Sequence, residues 1–438
     1  MKKDLLKKIK ATEPGTYVKL TATNDRKYSG ILMPQGKDAV FIKLDNGYNI
    51  GIDKKNIISF EVLKEKKALK VEYNKKPQKF NKSLPTIAIL HTGGTISSKV
   101  DYRTGAVYSA FTPEDIIAMF PELTKIANIK SKLISNMFSD DLRFKNLAKI
   151  ATEIESELKS GVDGIIVSIG TDNLAVASAA ISFMVEKTPV PIIFVGAQRS
   201  SDRPSSDAFL NLVSAAYFIA RTDFAGIAIS MHSSMSDTTC SILPATKTRK
   251  MHSSRRDAFK PVNDTEIAIV DYLNDEIKFI KKDYPKKNNN REYLIKPGME
   301  EKVAILKVHI NMFPEQIDFF REHNYKGLVI EGTGLGHTPG HATNKESEIN
   351  KKIFPAIKKL VDSGCIVVMA TQCIYGRVNM NVYSKGKDLL GLGVISADDM
   401  LSETAFVKLS WLLKNYPEKA KEMMHENLRG EINKRHLP

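Results

Sequence analysis

The stretch Thr86-Ile-Ala-Ile-Leu-His-Thr-Gly-Gly-Thr-Ile96 decides the fold class of this 438-residue chain. Its apolar run, Thr86 to Leu90, carries no charge, which is typical of a strand buried on both faces of a parallel sheet. The run passes directly into the loop His91 to Ile96, whose paired glycines let the backbone approach a ligand closely. A buried strand followed by such a loop predicts an α/β fold with its ligand site at the carboxyl end of the sheet.

Six further apolar runs repeat this pattern after Pro85, each followed by a polar or glycine-rich loop and a helical stretch. They are Ile165 to Val167, Ile192 to Val195, Ile227 to Ile229, Val303 to Leu306, Leu328 to Ile330 and Ile366 to Met369. Strands that alternate with helices predict α/β domains with parallel sheets. The charged, asparagine-rich stretch from Lys281 to Lys296 separates two blocks of runs, and we expect one domain over residues 85–290 and a second over residues 300–438.

The first 84 residues have a different pattern. Five short β-type runs lie between Tyr17 and Leu63, and turn sequences such as Asn46-Gly47 separate them. Short strands of this kind predict a small five-stranded β-barrel over residues 1–64. Residues 65–84 are rich in lysine and poor in apolar side chains, so they are predicted to form a linker.

The positive charge of the chain is concentrated in this N-terminal part. Residues 1–84 hold 20 Lys and Arg against 9 Asp and Glu, a net +11, whereas the other 354 residues hold 45 against 41, a net +4. A basic surface attracts polyanions such as RNA through counterion release. The excess is equally compatible with a surface on which lysine is the usual exposed residue, and the sequence leaves both interpretations open.

Composition and motifs exclude several classes of protein. No apolar stretch approaches the ~18 residues that a membrane-spanning helix needs, and early charges interrupt any signal-peptide core, so a cytoplasmic protein is expected. Three cysteines without a CxxC pair favour the same reducing compartment. The chain lacks GxSxG, HExxH and P-loop motifs, and its histidines show no metal-ligand spacing, so no metal site is predicted.

Two more loops carry candidate chemistry. Gly170-Thr-Asp-Asn173 follows an apolar run and places the hydroxyl of Thr171 beside the carboxylate of Asp172. Asp172 is equally suited to cap the helix that begins near Leu174. The basic stretch Lys247 to Phe259 is either a solvated loop or a segment that places a lysine beside this pair. In the second case, desolvation and nearby cations would lower the pKa of the lysine, so that its amine could act as a base.

Four motifs, in order and spacing, resemble the L-asparaginase and glutaminase family. They are Thr92-Gly-Gly-Thr95, Gly170-Thr-Asp172, Val195-Gly-Ala-Gln-Arg199, and Lys250 with Asp257-Ala-Phe259. The resemblance covers about residues 85–415. It implies a two-domain asparaginase-like α/β fold with parallel sheets, preceded by the small all-β barrel.

The resemblance also implies catalytic roles. Thr95 is expected to be the nucleophile that attacks a side-chain amide and forms an acyl-enzyme. Lys250 would take a proton from Thr171 while Asp172 orients the lysine, and the set would activate the attacking hydroxyl or water. N–H groups around Gly94 and the two threonines are expected to form the oxyanion hole. Which threonine attacks first is left open.

Three further residues are implied to bind substrate. Tyr108 is the nearest candidate for the tyrosine that activates the first threonine of asparaginases. Ser139 and Asp140 resemble the loop that holds the amino-acid end of the substrate, with Asp140 on the α-ammonium group. Without the family resemblance, the same Ser-Asp sequence is equally a helix N-cap.

The N-terminal unit is not part of a plain asparaginase. Its sequence Asn46-Gly-Tyr-Asn-Ile-Gly-Ile52, together with Thr104 to Tyr108 and Gln198 to Asp207, resembles the D-subunit family of archaeal glutamyl-tRNA(Gln) amidotransferases over nearly the whole chain. That family hydrolyses glutamine and passes ammonia to an E subunit, which activates the glutamate of Glu-tRNA(Gln) with ATP and Mg²⁺. The resemblance therefore implies no cofactor on this chain and a homodimer within a heterotetramer.

Two alternatives are kept. One is a free-standing L-asparaginase or glutaminase with an accessory domain, and the other is an RNA-binding scaffold with an inactive site. The intact set of Thr95, Thr171, Asp172 and Lys250 argues against the scaffold. Outside that set, Asp202, Arg203 and Asp207 are expected to cap and pair with the helix over residues 208–220.

Overall fold

The computed structural model describes residues 2–23, 25–34, 36–44, 49–63, 80–94, 98–100, 107–109, 119–200, 205–288 and 290–435. The N-terminal unit consists of one helix and five strands. They are α1 (Lys2–Ala11), β1 (Tyr17–Ala22), β2 (Lys27–Leu32), β3 (Ala39–Leu44), β4 (Asn49–Asp53) and β5 (Ile57–Val62). A 3-10 turn over Lys54–Asn56 connects the last two strands.

The five strands pair antiparallel in the order β4-β3-β2-β1-β5. In β1, Val18, Leu20 and Ala22 are buried and alternate with more exposed residues, as in a strand with one face on a core. Leu5 and Ile9, one helical turn apart on α1, pack against the same core. The predicted antiparallel all-β unit is confirmed, and its closure into a barrel stays a prediction. Helix α1, which was not predicted from the sequence, is an addition to it.

The second unit contains fourteen strands and four helices among the described residues. They are β6 (Thr86–His91), β7 (Ser98–Val100), β8 (Val107–Ser109), α2 (Leu123–Ile126), β9 (Asn128–Leu133), α3 (Phe144–Lys159), β10 (Gly164–Ser168), α4 (Leu174–Met184), β11 (Val185–Lys187), β12 (Pro191–Val195), α5 (Ala208–Arg221), β13 (Gly226–His232), β14 (Cys240–Pro244), β15 (Thr248–Lys250), β16 (Phe259–Pro261), β17 (Ala268–Asp271), β18 (Glu276–Phe279) and β19 (Leu294–Ile295).

Eight of these strands form one sheet, in the order β18-β17-β14-β13-β12-β10-β6-β9. The pairings from β13 to β9 are parallel, which confirms the α/β prediction. β14, β17 and β18 extend the sheet antiparallel. This extension was not predicted from the sequence.

The third unit contains a four-stranded parallel sheet in the order β20-β21-β22-β23. Its elements are β20 (Val303–Lys307), α6 (Glu315–Glu322), β21 (Gly327–Gly332), α7 (Ile353–Asp362), β22 (Ile366–Thr371), α8 (Ser384–Gly391), β23 (Ile395–Ser396), α9 (Ser402–Asn415) and α10 (Ala420–Met423). Two 3-10 segments cover Lys345–Lys352 and Pro417–Lys419. All three predicted apolar runs of this half are strands.

The large sheet separates two apolar cores. Ile165 and Val167 of β10 belong to the core that also contains residues of α4 and α9, whereas Ile166 belongs to the core formed with α5. Trp411 of α9 is buried with its ring centroid 6.0 Å from that of Phe183 on α4. Helix α9 therefore joins the C-terminal half to the face of the large sheet.

The charged stretch between the two halves is packed against the sheet edge. The backbone nitrogen of Ala225 donates to the carbonyl of Pro285 over 2.7 Å, and the Tyr284 ring stacks on Phe279 at 4.4 Å. β19 then pairs with β11. The domain limits at residues 290 and 300 stay predictions. Within the described ranges, no helix is both long and apolar enough to span a bilayer.

Candidate active site

The loops after β6 and β10 meet because these two strands are parallel neighbours. Thr92 donates to the carbonyl oxygen of Ser168 from both its backbone nitrogen, at 3.1 Å, and its hydroxyl, at 3.0 Å. Gly94 has a φ of +84°, and a Cβ atom there would lie 2.5 Å from the backbone nitrogen of Gly170. Glycine is therefore required, and it allows backbone contact between the two loops.

Two of the predicted site residues have no described side chain. Thr95 follows Gly94 in the sequence but lies outside the described residues. For Tyr108, the structure describes the backbone in β8, where it pairs with Lys99 of β7. The expected roles of nucleophile and activating tyrosine stay predictions.

The structure brings together Thr171, Asp172 and Lys250. The Lys250 ammonium donates to the Thr171 hydroxyl oxygen over 2.9 Å and to the Asp172 carboxylate over 2.9 Å. The lysine side chain is 14% exposed and that of Asp172 is 69% exposed, while Thr171 is buried. The amine is therefore held between a hydroxyl and a carboxylate at the edge of solvent.

Local structure explains why these three side chains meet. Helix α4 begins at Leu174 with Asn173 as its N-cap residue, and no side-chain cap hydrogen bond is formed there. The alternative that Asp172 caps this helix is wrong, because its carboxylate accepts from Lys250 instead. Lys250 ends β15 and pairs with Phe259 of β16, so the two distant parts of the fourth motif form one hairpin.

This arrangement supports proton transfer. A neutral Lys250 amine, 2.9 Å from the Thr171 oxygen, is within reach of the hydroxyl proton. The ammonium that results would remain paired with the Asp172 carboxylate at 2.9 Å. The set provides a hydroxyl, an amine and a stabilising carboxylate, as an activated nucleophile requires.

Gln198 is a neighbour of Thr171 that the sequence analysis did not select. The Thr171 hydroxyl is 3.4 Å from the Gln198 side-chain oxygen, a long hydrogen bond. The Gln198 amide nitrogen is buried and has no hydrogen-bond partner among the described residues. Its position in the Val195 to Arg199 motif, directly after a strand, was the available signal.

Asp207 holds the Gln198 loop. Its fully buried carboxylate accepts from the backbone nitrogens of Gln198 and Arg199, each at 3.0 Å, and from the Asn211 side chain at 3.1 Å. No side-chain cap bond is made at the start of α5. As expected, Asp207 occupies the N-cap position and pairs with a side chain of this helix, Asn211, but its carboxylate accepts from N–H groups of the Gln198 loop rather than from the helix backbone. The other two residues of that expectation, Asp202 and Arg203, lie outside the described residues.

Ser139 lies beside the Thr171 loop. Its hydroxyl accepts from the backbone nitrogen of Asn173 at 3.2 Å, and a Cβ atom on Gly170 would come within 2.8 Å of that hydroxyl. Ser139 is buried in a 3-10 turn, whereas Asp140 beside it is exposed. The next helix, α3, begins only at Phe144, so the N-cap alternative is wrong. The substrate-binding roles of Ser139 and Asp140 stay predictions.

The C-terminal half forms the other wall of the site. A cavity of about 250 Å³ lies between Asp172 and Lys250 on one side and Leu401, Glu403 and Thr404 on the other. The last two belong to the first turn of α9. Asp172 and Lys250 therefore border a space that neither half of the chain encloses alone.

The basic residues between Lys247 and Phe259 have different roles. Lys247 is fully buried and pairs with the fully buried Asp399 at 2.6 Å. Burial lowers the pKa of Lys247, while the hydrogen bond to Asp399 opposes this shift. Arg255 pairs with Asp257. Lys247 is therefore neither part of a solvated loop nor a catalytic residue. It forms a buried ion pair between the two halves of the chain.

No cluster of three or more His, Cys, Asp or Glu side chains suited to a metal ion occurs in the part of the chain that the structure describes. The expectation that the chain holds no metal stays a prediction.

Comparisons with known proteins agree with the fold. The family described as "Asparaginase, N-terminal" matches residues 86–284, and the "Glutaminase/Asparaginase C-terminal domain" matches residues 302–424. The "GatD N-terminal domain" matches residues 12–63. Together the three matches account for the all-β unit and both α/β units.

Curated relatives match over almost the full length. The D subunit of the glutamyl-tRNA(Gln) amidotransferase of Pyrococcus furiosus is 46% identical over 97% of this chain and 96% of its own length. The protein of the same name from Methanococcus maripaludis strain C6 is 46% identical over 96% of this chain and 98% of its own.

Solved structures resemble the α/β part. The thermostable L-asparaginase from Thermococcus kodakarensis is 30% identical, with a TM-score of 0.69 over 80% of this chain and 100% of its own. L-asparaginase I from Vibrio cholerae is 25% identical, with a TM-score of 0.67 over 80% of this chain and 99% of its own.

Proposed function

The chain belongs to the family of glutamyl-tRNA(Gln) amidotransferase D subunits, which carries the asparaginase fold, and on that premise we propose that it hydrolyses glutamine and delivers ammonia to a partner protein. The observation that carries the proposal is the Lys250 ammonium bonded to both Thr171 and Asp172 at 2.9 Å. This geometry supports amide hydrolysis by an activated hydroxyl.

In the proposed reaction, the Thr95 hydroxyl oxygen bonds to the side-chain amide carbon of glutamine. N–H groups around Gly94 and the threonines stabilise the oxyanion that develops. The carbon–nitrogen bond then breaks, and ammonia leaves with the proton that the nucleophile has given up. Water hydrolyses the acyl-enzyme to glutamate and restores the hydroxyl.

In this proposal Lys250 accepts and returns a proton, and Asp172 stays paired with it. The neutral amine takes the Thr171 proton, so that Thr171 in turn activates the attacking hydroxyl or water. The same set would also serve if Thr171 attacks first. The two 2.9 Å hydrogen bonds of Lys250 support either order.

The amino-acid end of glutamine is assigned to the loops around the catalytic set. We propose that Ser139 and Tyr108 contact this end and that Asp140 binds the α-ammonium group. The bond between Asn173 and the Ser139 hydroxyl supports the assignment, because it fixes Ser139 beside the Thr171 loop.

The partner in this proposal is the E subunit of the amidotransferase, which uses ATP and Mg²⁺ to activate the glutamate of Glu-tRNA(Gln) and accepts the ammonia. No cofactor is assigned to this chain. The assembly is a heterotetramer built on a homodimer of this chain, and the reaction takes place in the cytoplasm. The basic N-terminal unit is the candidate for contact with tRNA through the complex.

The alternative is a free-standing asparaginase or glutaminase, which the likeness to L-asparaginases over 80% of the chain favours. Ammonia release from glutamine and from asparagine distinguishes the two. The chain would be assayed alone, with the E subunit, and with both the E subunit and Glu-tRNA(Gln). We expect slow glutamine hydrolysis by the chain alone and stimulation by both additions. Fast hydrolysis that responds to neither addition would contradict the amidotransferase role.

A further inference from the structure

The segment that presents Lys250 is bonded to the C-terminal half before it reaches the active site. The carbonyl oxygen of Thr246 accepts from the hydroxyl of Thr404 on α9 at 2.8 Å, and the Thr246 hydroxyl donates to the carbonyl of Arg429 at 3.1 Å. The ammonium of Lys247 donates to the carboxylate of Asp399 at 2.6 Å and to its carbonyl at 3.0 Å. Two consecutive residues are thus fixed by groups outside their own sheet.

The next contact lies directly beside the catalytic lysine. Arg249 forms an ion pair with Glu403 at 3.0 Å, and both side chains are about one-third exposed. Glu403 and Thr404 are neighbours in the first turn of α9, and both line the cavity onto which Lys250 and Asp172 open. One helical turn therefore touches the backbone of the segment and the side chain adjacent to Lys250.

The hairpin itself provides little restraint. Among the described residues, β15 and β16 contain three residues each and form a two-stranded sheet separate from the large one. An isolated two-stranded hairpin is marginally stable in water. The position of Lys250 at the end of β15 must then depend on what the hairpin packs against.

From these contacts we propose that the first turn of α9 is the positioning element of the catalytic lysine, with Glu403 and Thr404 acting through Arg249 and Thr246. The C-terminal half thereby determines whether the Lys250 amine stands between Thr171 and Asp172. This inference deepens the proposed function, and its activity readout rests on that function.

Two substitutions separate this role from general stability. Glu403→Gln removes the charge that holds Arg249, at a partly exposed site where folding should be retained. Thr404→Val replaces a buried hydroxyl by a methyl group of similar size and releases the Thr246 carbonyl. Thr404→Ser restores the hydroxyl and should restore the function. Asp318→Asn is the matched control. Asp318 pairs with Arg321 at 3.2 Å on α6, outside the site, and the side chains of Arg321 and Asp318 are 36% and 28% exposed, similar to those of Arg249 and Glu403.

The first readout is glutamine hydrolysis by the full chain in complex with its partner protein. Glu403→Gln and Thr404→Val should each lower kcat about tenfold with KM changed less than about twofold, because a displaced catalytic group affects the chemical step. Thr404→Ser and Asp318→Asn should retain the wild-type kcat.

The second readout does not depend on the reaction. Acetylation of the Lys250 amine by acetic anhydride, followed by peptide mass spectrometry, measures how well the amine is held. Labelling should be faster in Glu403→Gln and Thr404→Val than in the wild type and the control. Wild-type labelling and wild-type kcat in both variants would overturn the proposal. If the wild-type complex hydrolyses no glutamine, the proposed function fails, and the labelling rates alone decide the positioning role.

Discussion

Lys247 and Lys250 are three positions apart in one segment, and each pairs with a carboxylate in a different environment. The Lys247–Asp399 pair is fully buried, and the Asp399 carboxylate also accepts from the backbone and side-chain nitrogens of Asn433. The Lys250–Asp172 pair opens to solvent and includes the Thr171 hydroxyl. Burial and the hydrogen bonds to Asp399 make the first pair a structural link, whereas exposure to solvent leaves the second pair accessible to a substrate.

Removing the exposed lysine should have the largest effect. Lys250→Met is expected to lower ammonia release from glutamine by about 10³-fold, because loss of a general acid–base group typically costs ~10² to 10⁴. The urea midpoint should stay near that of the wild type, since the side chain borders solvent. Lys286→Met, which removes an exposed partner of Asp223 at the sheet edge, should keep full activity. A fully active Lys250→Met chain would contradict the assignment of the Lys250–Asp172 pair as the reactive one.

Removing the buried lysine should act on stability instead. Lys247→Met leaves the Asp399 carboxylate buried without its cation, which is expected to lower the free energy of unfolding by about 3–5 kcal/mol. Chemical denaturation measures this loss. The double variant Lys247→Met/Asp399→Asn removes both charges and should recover most of it. A double variant as unstable as the single one would show that packing, not charge, is the main contribution.

His91 extends the comparison to a buried group without a counter-charge. Its ring nitrogens lie 2.7 Å and 3.0 Å from the hydroxyls of Ser168 and Ser131, and burial lowers its pKa from 6.5 to about 4. As the pH falls, His91 is protonated in the unfolded chain before it is protonated in the folded one. The contribution of His91 to the free energy of unfolding is therefore fully present above pH 6.5 and decreases by about 3 kcal/mol as the pH drops to 4.

Urea unfolding across this pH range tests that expectation. His91→Gln should lose this component of the pH dependence, because no imidazole remains to titrate. His341→Gln should retain it, because His341 is half-exposed. An unchanged pH dependence in His91→Gln would assign the acid sensitivity to other groups.

Gln198 should give the smallest effect. Gln198→Leu removes a long hydrogen bond to Thr171 and is expected to lower kcat about three- to tenfold, in line with ~0.5 to 1.5 kcal/mol for one such bond. The urea midpoint should not fall, since the Gln198 amide nitrogen has no partner among the described residues. Gln316→Leu, at the start of α6, serves as the activity control. A loss as large as that of Lys250→Met would make Gln198 a main catalytic group.

Much of the fold could be predicted because strands buried on both faces require runs of uncharged, apolar residues, which are visible in the sequence. The uncharged runs around Ile166 and Val329 are strands buried on both faces, and the five N-terminal runs match the observed strands closely. The antiparallel extension formed by β14, β17 and β18 was missed, because strands of four or five residues have a weak local signal, although only β18 lies at the sheet edge. Helix α1 was missed as well, since only its packing on the five-stranded sheet gives the segment a core.

The candidate site was predictable where a motif lies at a strand end. Thr171 and Asp172 follow β10 directly, and the structure places Lys250 against them. The separate fates of Lys247 and Lys250 were not predictable, because they depend on Asp399 and α9, about 150 residues further along the chain. For the same reason, the N-cap position of Asp207 was predictable, whereas the contact of its carboxylate with the Gln198 loop was not.

The most direct test of the central claim is ammonia release from glutamine by the complex with the E subunit and Glu-tRNA(Gln), with wild-type chain and with Thr171→Val. The substitution keeps the volume of the side chain and removes the hydroxyl to which Lys250 donates. We expect the variant to assemble normally and to release ammonia at about 10⁻² of the wild-type rate or below, because the proton path through Thr171 is lost. Release at the wild-type rate would contradict the assignment of Thr171, Asp172 and Lys250 as the hydrolytic set.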